Sequence, residues 1–184
     1  MNNGGIFAKK LAVLALLTNL SLITFILESL LPSMVIPGAK PGLANIFSLI
    51  ALIMYSPWEA FAVVAVRTLL GAVYAGNVSA LLYSFTGGIV SMGVSAILLY
   101  KVHPRVSLMA VSVAAAAAHN ITQNIVFVFL SGSILMFGYI PYIILLGVVS
   151  GAVVGGVTML IFRGVPKSVF EKTLLTKRDK FSDN

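Results

Sequence analysis

Cysteine is absent from this chain of 184 residues, and charged residues make up only 9% of it. The absence of cysteine excludes disulfide bonds, thiolate catalysis and cysteine-ligated metal sites. Acidic residues are especially few, since five Asp and Glu stand against twelve Lys and Arg. So small a charged fraction, beside 59% hydrophobic residues, excludes an ordinary soluble domain.

Apolar segments long enough to enter a membrane recur along the whole chain. A helix needs about 20 apolar residues to cross roughly 30 Å of hydrocarbon. Six candidate spans follow one another: Ala8–Leu31, Gly42–Tyr55, Pro57–Ala75, Val78–Tyr100, Ser107–Leu130 and Tyr139–Arg163. The second is short, so we expect it to be extended by its neighbours or sunk among the other helices. The sequence thus predicts an all-α membrane protein, with a six-helix transmembrane domain at 1–163 and a basic cytoplasmic tail at 164–184.

The first span has some features of a signal peptide, because Lys9 and Lys10 precede its apolar run. That run continues to Leu31, which is too long for a typical signal sequence, and no convincing small-residue cleavage site follows it. We therefore interpret it as a transmembrane helix that is retained.

The basic residues lie on one side of the predicted membrane. An even number of spans places both termini on the same side, together with ten of the twelve Lys and Arg residues. Only Lys40 falls on the opposite side, and Arg67 lies within a span. The positive-inside rule then places both termini in the cytoplasm. We expect the domain to lie in a prokaryotic plasma membrane. This distribution favours contact of the tail with anionic lipid and argues against nucleic acid as a partner of the basic chain.

Two groups of polar residues are predicted to lie deep in the membrane. Arg67 is ten residues into the third span, about 15 Å from its cytoplasmic start and near the bilayer centre. In the fifth span, His119 pairs with Gln123 and Asn120 with Asn124 at i, i+4 spacing. Such groups are costly in hydrocarbon and often mark a ligand or ion path.

Structural interpretations stand beside this functional one. Arg67 could pair with Glu28 or a backbone carbonyl, and the histidine and amides could hydrogen-bond neighbouring helices.

Glu28 and Asn45 are predicted near the outer ends of their spans, and Lys40 in the first outer loop. Two cations, Arg67 and Lys40, near one acid favour a ligand with an anionic group.

Three further patterns concern helix ends and packing. Glu59 follows Ser56 and Pro57 at capping-box spacing, so we interpret it as a helix cap rather than a catalytic acid. Small residues recur at packing intervals in two spans, Ala8, Ala12 and Ala15 in the first and Gly147, Gly151 and Gly155 in the sixth. We expect the glycine face to pack internally. The alanine face is compatible either with internal packing or with docking of another membrane protein.

Several stretches together resemble a known family. They are LESLLP at Glu28, PGLANIFSLIAL from Pro41, RTLLG from Arg67, LLYSFTGG from Leu81 and AHNITQN from Ala118. These stretches are similar to the membrane proteins called Gx transporter or heptaprenyl diphosphate synthase component I, over roughly residues 8–160. That family in turn resembles the S components, the substrate-binding membrane subunits of energy-coupling factor (ECF) transporters.

The resemblance implies a fold, a site and a set of partners. S components have six helices with both termini inside, and an outward binding site capped by the first outer loop. An AxxxA face on their first helix contacts the transmembrane coupling subunit, and Ala8-Lys9-Lys10-Leu11-Ala12 matches it. The resemblance also implies partner ATPases. The sequence has no GxxxxGK[ST] motif, so energy for transport must come from a partner.

The synthase label fits these residues poorly. Prenyl diphosphate synthases resemble one another in Asp-rich DDxxD motifs that hold Mg²⁺, whereas the two Asp residues here, Asp179 and Asp183, are both in the tail. We therefore expect no catalytic residues, no metal and no cofactor in this chain.

The leading hypothesis is an S-component-like subunit that captures a small, anionic or amphipathic molecule. Its ligand site is predicted to contain Arg67, His119, Asn120, Gln123, Asn124, Asn45, Lys40 and Glu28. The alternatives are a non-catalytic scaffold of polyprenyl diphosphate or quinone synthesis or an associated redox system, and a proton-coupled carrier. The carrier is disfavoured because the chain lacks paired carboxylates and an obvious internal repeat.

Overall fold

The computed structural model describes residues 3–30, 42–76, 78–103 and 105–164. Within these ranges the chain forms six α-helices: α1 Asn3–Leu30, α2 Asn45–Met54, α3 Pro57–Ala75, α4 Val78–Ile97, α5 Leu108–Ser131 and α6 Ile140–Gly164. A π-helical turn, Leu98–Val102, extends α4, and a 3₁₀ helix, Ile134–Tyr139, precedes α6. The six helices confirm the predicted all-α fold class, with limits that differ from the predicted spans by a few residues.

Local sequence explains where the helices begin and end. Pro57 occupies the first position of α3, where its missing N–H leaves no helical hydrogen bond unmade. At the start of α5, the Ser107 hydroxyl accepts a hydrogen bond from the Ala110 N–H at 3.1 Å. The helices α3 and α5 end at Gly76 and Gly132, whose φ angles of 61° and 67° suit glycine better than any other residue.

The surface of the bundle is that of a multi-pass membrane protein. Within the described residues, four segments are long and apolar enough to cross a bilayer, namely Phe7–Glu28, Leu81–Val102, Leu108–Ser131 and Ile134–Gly164. Large apolar side chains are exposed around the outside, including Leu16, Val73, Phe129 and Leu160. Such an exterior is unstable in water and is solvated by lipid chains.

The short helix α2 lies inside the bundle. Its ten residues cover about 15 Å, roughly half the thickness of the hydrocarbon core. Ile50, Ala51 and Leu52 are buried, and they pack with Val64 of α3 and Val111 of α5 in the main apolar core. The second span is therefore sunk among the others, and its first residue, Asn45, lies beside Arg67 of α3.

The spatial order of the long helices determines which side chains meet at the site. α5 lies between α4 and α6, and α3 lies between α1 and α4. The predicted internal packing of the glycine face on α6 is confirmed, because Gly151 lies directly against the backbone of α5. A Cβ atom at Gly151 would be only 2.6 Å from the Cα of Val113.

One end of the bundle carries Lys9, Lys10, Lys101, Arg105 and Arg163, and we call it the basic end. The opposite end, at the C-termini of α1, α3 and α5, is called the outer end.

Candidate binding site

Arg67 is buried in the middle of α3, and its guanidinium group holds three helices together. Only 2% of the residue is exposed. Its Nη1 donates to the Ser21 hydroxyl of α1 at 3.2 Å, and its Nη2 donates to Oδ1 of Asn45, the first residue of α2, at 3.1 Å. The Arg67 Nε is also buried, with no hydrogen-bond partner in the described part of the chain. One N–H of the buried cation is thus left available.

The start of α2 is tied to α1 by two more contacts beside Arg67. The Ser21 hydroxyl donates to the carbonyl oxygen of Ala44 at 2.9 Å. The Glu28 carboxylate accepts a hydrogen bond from the backbone N–H of Leu43 and has an attractive charge interaction with Arg67. The structure therefore brings the predicted residues Arg67, Asn45 and Glu28 into one network, which also includes the unpredicted Ser21.

His119 and Gln123 face α4 at a point where α4 has two glycines. A Cβ atom at Gly87 would be 2.8 Å from Cγ of Gln123 and 3.2 Å from Cε1 of His119. The neighbouring Gly88 would place a Cβ 3.8 Å from Nη2 of Arg67. Gly87 thus lets the His119 and Gln123 side chains approach α4, and Gly88 leaves room beside the Arg67 guanidinium group. Nδ1 of His119 is buried, with no hydrogen-bond partner among the described residues.

Asn120 and Asn124 face the other side of α5. The Asn120 amide donates to the carbonyl oxygen of Ile143 in α6 at 3.1 Å. The Asn124 amide donates to the carbonyl oxygen of Met136 in the 3₁₀ helix at 3.2 Å. These two side chains hold α5 to the segment that follows it, as the interhelical interpretation predicts. The predicted polar stripe is therefore divided between two faces of α5.

A small cavity lies where α2, α4, α5 and α6 meet. Its polar lining consists of Asn45 and three serines, Ser91, Ser95 and Ser112. The space that the centre of a water molecule can occupy there is about 20 Å³, enough for about one water. Asn45 belongs both to this cavity and to the Arg67 network, so the two features are adjacent.

Sequence reasoning missed the three serines, although their spacing carried a signal. Ser84, Ser91 and Ser95 occupy one face of α4, at intervals of seven and four residues. Ser112 lies seven residues before His119, on the same side of α5. Serine is common in membrane helices, and this pattern becomes informative only when the facing helices are known.

At the basic end, the predicted capping box at Glu59 does not form, because the Ser56 side chain makes no capping hydrogen bond to the backbone of α3. The Glu59 carboxylate accepts a hydrogen bond from the Ser56 hydroxyl and forms an ion pair with Lys10 of α1. Lys10 also lies over the ring of Tyr55, 5.6 Å from its centroid. Glu59 thus joins the starts of α1 and α3 through side-chain contacts.

The predicted docking face on α1 is exposed. Ala8, Ala12 and Ala15 all lie on the outside of the bundle, beside exposed Phe7 and Leu11. Their exposure argues against a role in packing within this chain.

Two predictions lie outside the described residues, namely Lys40 as part of the site and the basic tail beyond Gly164. Within the described ranges, the structure has no group of three or more histidine and acidic side chains able to hold a metal ion.

The chain matches a known protein family and a solved structure. Residues 17–161 match the protein family described as heptaprenyl diphosphate synthase component I. The chain belongs to this family. Comparison with curated proteins finds no match.

Among solved structures, this member of the family is similar to the S component of a bacterial ECF transporter. The TM-score is 0.67 and the sequence identity 21%, and the alignment covers 85% of this chain and 94% of that one. At this identity the likeness establishes the fold, which is that of an S component. The predicted S-component-like bundle is thereby confirmed.

Proposed function

We propose that the protein is the substrate-binding subunit of an ATP-driven, ECF-type uptake transporter in a prokaryotic plasma membrane. It captures a small, anionic or amphipathic molecule from outside and passes it on with the help of partner subunits. The observation that carries the proposal is the buried cation Arg67 in an S-component fold, whose Nε–H has no hydrogen-bond partner among the described residues. Energy comes from a partner ATPase, since the chain has no nucleotide-binding motif.

In this proposal Arg67 supplies the charge that selects the ligand. A buried guanidinium group that is not fully satisfied attracts an anionic oxygen strongly, because little water screens the interaction. His119 of α5, on the other side of α4, adds a buried ring nitrogen, Nδ1, that has no hydrogen-bond partner among the described residues, and Gln123 lies one turn from it. Asn45 and Glu28 hold the start of α2 against Arg67, and Lys40 in the outer loop closes the site.

Asn120 and Asn124 act indirectly in this proposal. Their amide groups are engaged with backbone carbonyls of the segment before and within α6. They hold α5 in the orientation about its axis in which His119 and Gln123 face α4. Removing either amide is expected to weaken binding by displacing α5, not by removing a ligand contact.

The exposed alanine face of α1 is the proposed docking surface for the transmembrane coupling subunit, to which the ATPases bind. Alanine side chains allow two helices to approach closely, and close packing is what drives helix association in lipid. Ala8, Ala12 and Ala15 present such a face, which no described residue of this chain covers.

The experiment that tests this function is affinity purification from native membranes with mass spectrometry of the recovered proteins. We expect a coupling subunit and ATPases with the unaltered chain, and their loss with Ala12→Leu. Ala110→Leu is the matched control, because Ala110 is an equally exposed alanine near the basic end of α5. Recovery of the same partners with Ala12→Leu would contradict the docking surface. Their absence from the unaltered chain would contradict the transporter itself.

The family description favours a second candidate, a non-catalytic membrane subunit of polyprenyl diphosphate or quinone synthesis or of an associated redox system. In that case the amide hydrogen bonds to α6 and the Arg67 network would serve only to hold the bundle together. The same purification distinguishes the two, because prenyl synthase or redox proteins would then be recovered in place of ATPases.

A further inference from the structure

Three buried serines of this bundle, Ser91, Ser95 and Ser112, line one common cavity. Ser48 is also buried with an unpartnered hydroxyl among the described residues, but it does not line that cavity. In a membrane helix, a hydroxyl side chain commonly donates to a carbonyl oxygen of the preceding turn. Thr122 and Thr158 do so here, bonding Ala118 and Val154 at 2.8 and 2.7 Å. Ser91, Ser95 and Ser112 are 94–96% buried, yet none of their hydroxyls bonds another residue in the described part of the chain.

All three serines line the same cavity, together with Asn45. Oδ1 of Asn45 is used by Arg67, which leaves its amide NH₂ group as a donor. That NH₂ group is directed toward Gly42, which also lines the cavity. Four side chains from three helices thus offer hydrogen-bond donors to one small space. Leaving such groups unpaired in hydrocarbon is costly, so the space is built for a polar occupant.

The charge around the cavity favours an occupant that accepts hydrogen bonds. Its described lining contains no acidic residue. Arg67 stands behind Asn45 and polarises its amide. The N-terminus of α2, which carries a partial positive charge, opens at the same point. Metal cations prefer clustered carboxylate and carbonyl oxygens, and the positive surroundings oppose them.

We propose that this cavity is the subsite for a carboxylate head group of the captured molecule, held by Ser91, Ser95, Ser112 and the Asn45 amide. The inference rests on the proposed capture function. It adds a second contact region, the serine-lined cavity beside the Arg67 network, and states which part of the ligand binds there. In the present structure the space admits about one water. Met92 also lines it, and a flexible thioether side chain can move aside to admit a group of carboxylate size.

The test uses the absence of cysteine from the chain. In the otherwise unaltered full chain, Ser95→Cys introduces a single thiol of nearly the same size into the cavity wall. Two small alkylating reagents are compared on the purified protein at alkaline pH: iodoacetate, which carries a carboxylate, and the neutral iodoacetamide. The ratio of their rates is divided by the ratio for free cysteine, which removes their intrinsic difference in reactivity.

We expect the normalised ratio to favour iodoacetate by roughly tenfold. Sodium acetate should slow the alkylation, whereas methylammonium chloride at the same ionic strength should not. Ser112→Cys, on the opposite wall, should behave in the same way and provides a second measurement if Ser95→Cys fails to fold. Thr158→Cys is the control, since Thr158 is equally buried in α6 but does not line the cavity. It should react with neither reagent.

Three results would overturn the proposal. The first is that neither Ser95→Cys nor Ser112→Cys is alkylated. The second is a normalised ratio of rates near one, with no protection by acetate. The third is that Thr158→Cys is labelled as fast as Ser95→Cys. The second would mean that the cavity holds water only. If a coupling subunit is still recovered in the purification, only the head-group subsite is wrong. If no coupling subunit is recovered but the iodoacetate preference holds, the subsite stands and the transporter assignment fails.

Discussion

Arg67 of α3 and Asn45 of α2 are joined by a hydrogen bond of 3.1 Å between Nη2 and Oδ1, which links a buried cation to the wall of a serine-lined cavity. Asn45 is the first residue of α2, a short helix that lies inside the bundle. The positive charge of Arg67 and the neutral donors of the cavity wall therefore lie next to each other.

Arg67→Ala should remove ligand capture while the protein still folds. A hydrogen bond to a charged group contributes about 1.5–3 kcal/mol, so we expect affinity to fall by roughly tenfold to a hundredfold. The measurement is the amount of small molecule that co-purifies with the protein, by mass spectrometry, with size-exclusion chromatography to check folding. Arg163→Ala is the control, because it removes the same charge from an exposed position at the basic end. Unchanged co-purification with Arg67→Ala would contradict the assignment.

Ser21→Ala should destabilise the bundle. The Ser21 hydroxyl accepts from Arg67 and donates to Ala44, so its loss leaves a buried cation and a buried carbonyl each short of a partner. The expected cost is about 1–3 kcal/mol in the free energy of unfolding. Thr24→Val on the same helix removes a hydroxyl that bonds only Leu20 of its own helix, and it should cost much less. Denaturant titration in detergent compares the two, and equal losses would argue against the network.

Gly151→Ala should force α5 and α6 apart. The added methyl group would be 2.6 Å from the Cα of Val113 and 2.9 Å from the carbonyl oxygen of Ser112, and backbone atoms cannot rotate away. We expect a loss of about 1–3 kcal/mol or more in stability. At Gly156 on the same helix the nearest atom is the Cε of Met109 at 4.0 Å. Gly156→Ala should therefore be neutral or stabilising by up to about 1 kcal/mol. The midpoint of thermal unfolding measures both variants, and matching shifts would contradict the close contact.

The ion pair between Lys10 and Glu59 should contribute modestly at the basic end. Both side chains are partly exposed, so we expect a coupling free energy of about 0.2–1 kcal/mol in a double-mutant cycle of Lys10→Met and Glu59→Gln. The coupling should decrease in high salt, which screens exposed charges. Lys9→Met is the control, since Lys9 is exposed and has the same charge one residue away. Equal coupling of Lys9 and Lys10 to Glu59 would rule out a specific pair.

The helices themselves follow from local patterns in the chain. Runs of apolar residues with Pro57, Gly76, Ser107 and Gly132 at their ends are enough to limit α3 and α5, because helix ends depend on neighbouring residues. The pairing of His119 with Gln123, and of Asn120 with Asn124, also follows from the helical repeat. The burial of Arg67 is likewise expected from its position in an apolar span.

The partners of these residues depend on contacts between helices that are distant in the chain. The sequence could not tell that Asn120 and Asn124 would face α6 while His119 faces α4, because that choice depends on how α5 is rotated between its neighbours. Nor could it connect Arg67 with Ser21, which is 46 residues away. The three serines of the cavity looked like ordinary small residues until α4 and α5 were brought together. Local chemistry sets each helix and its polar faces, whereas only packing decides which faces meet and which donors are left for a ligand.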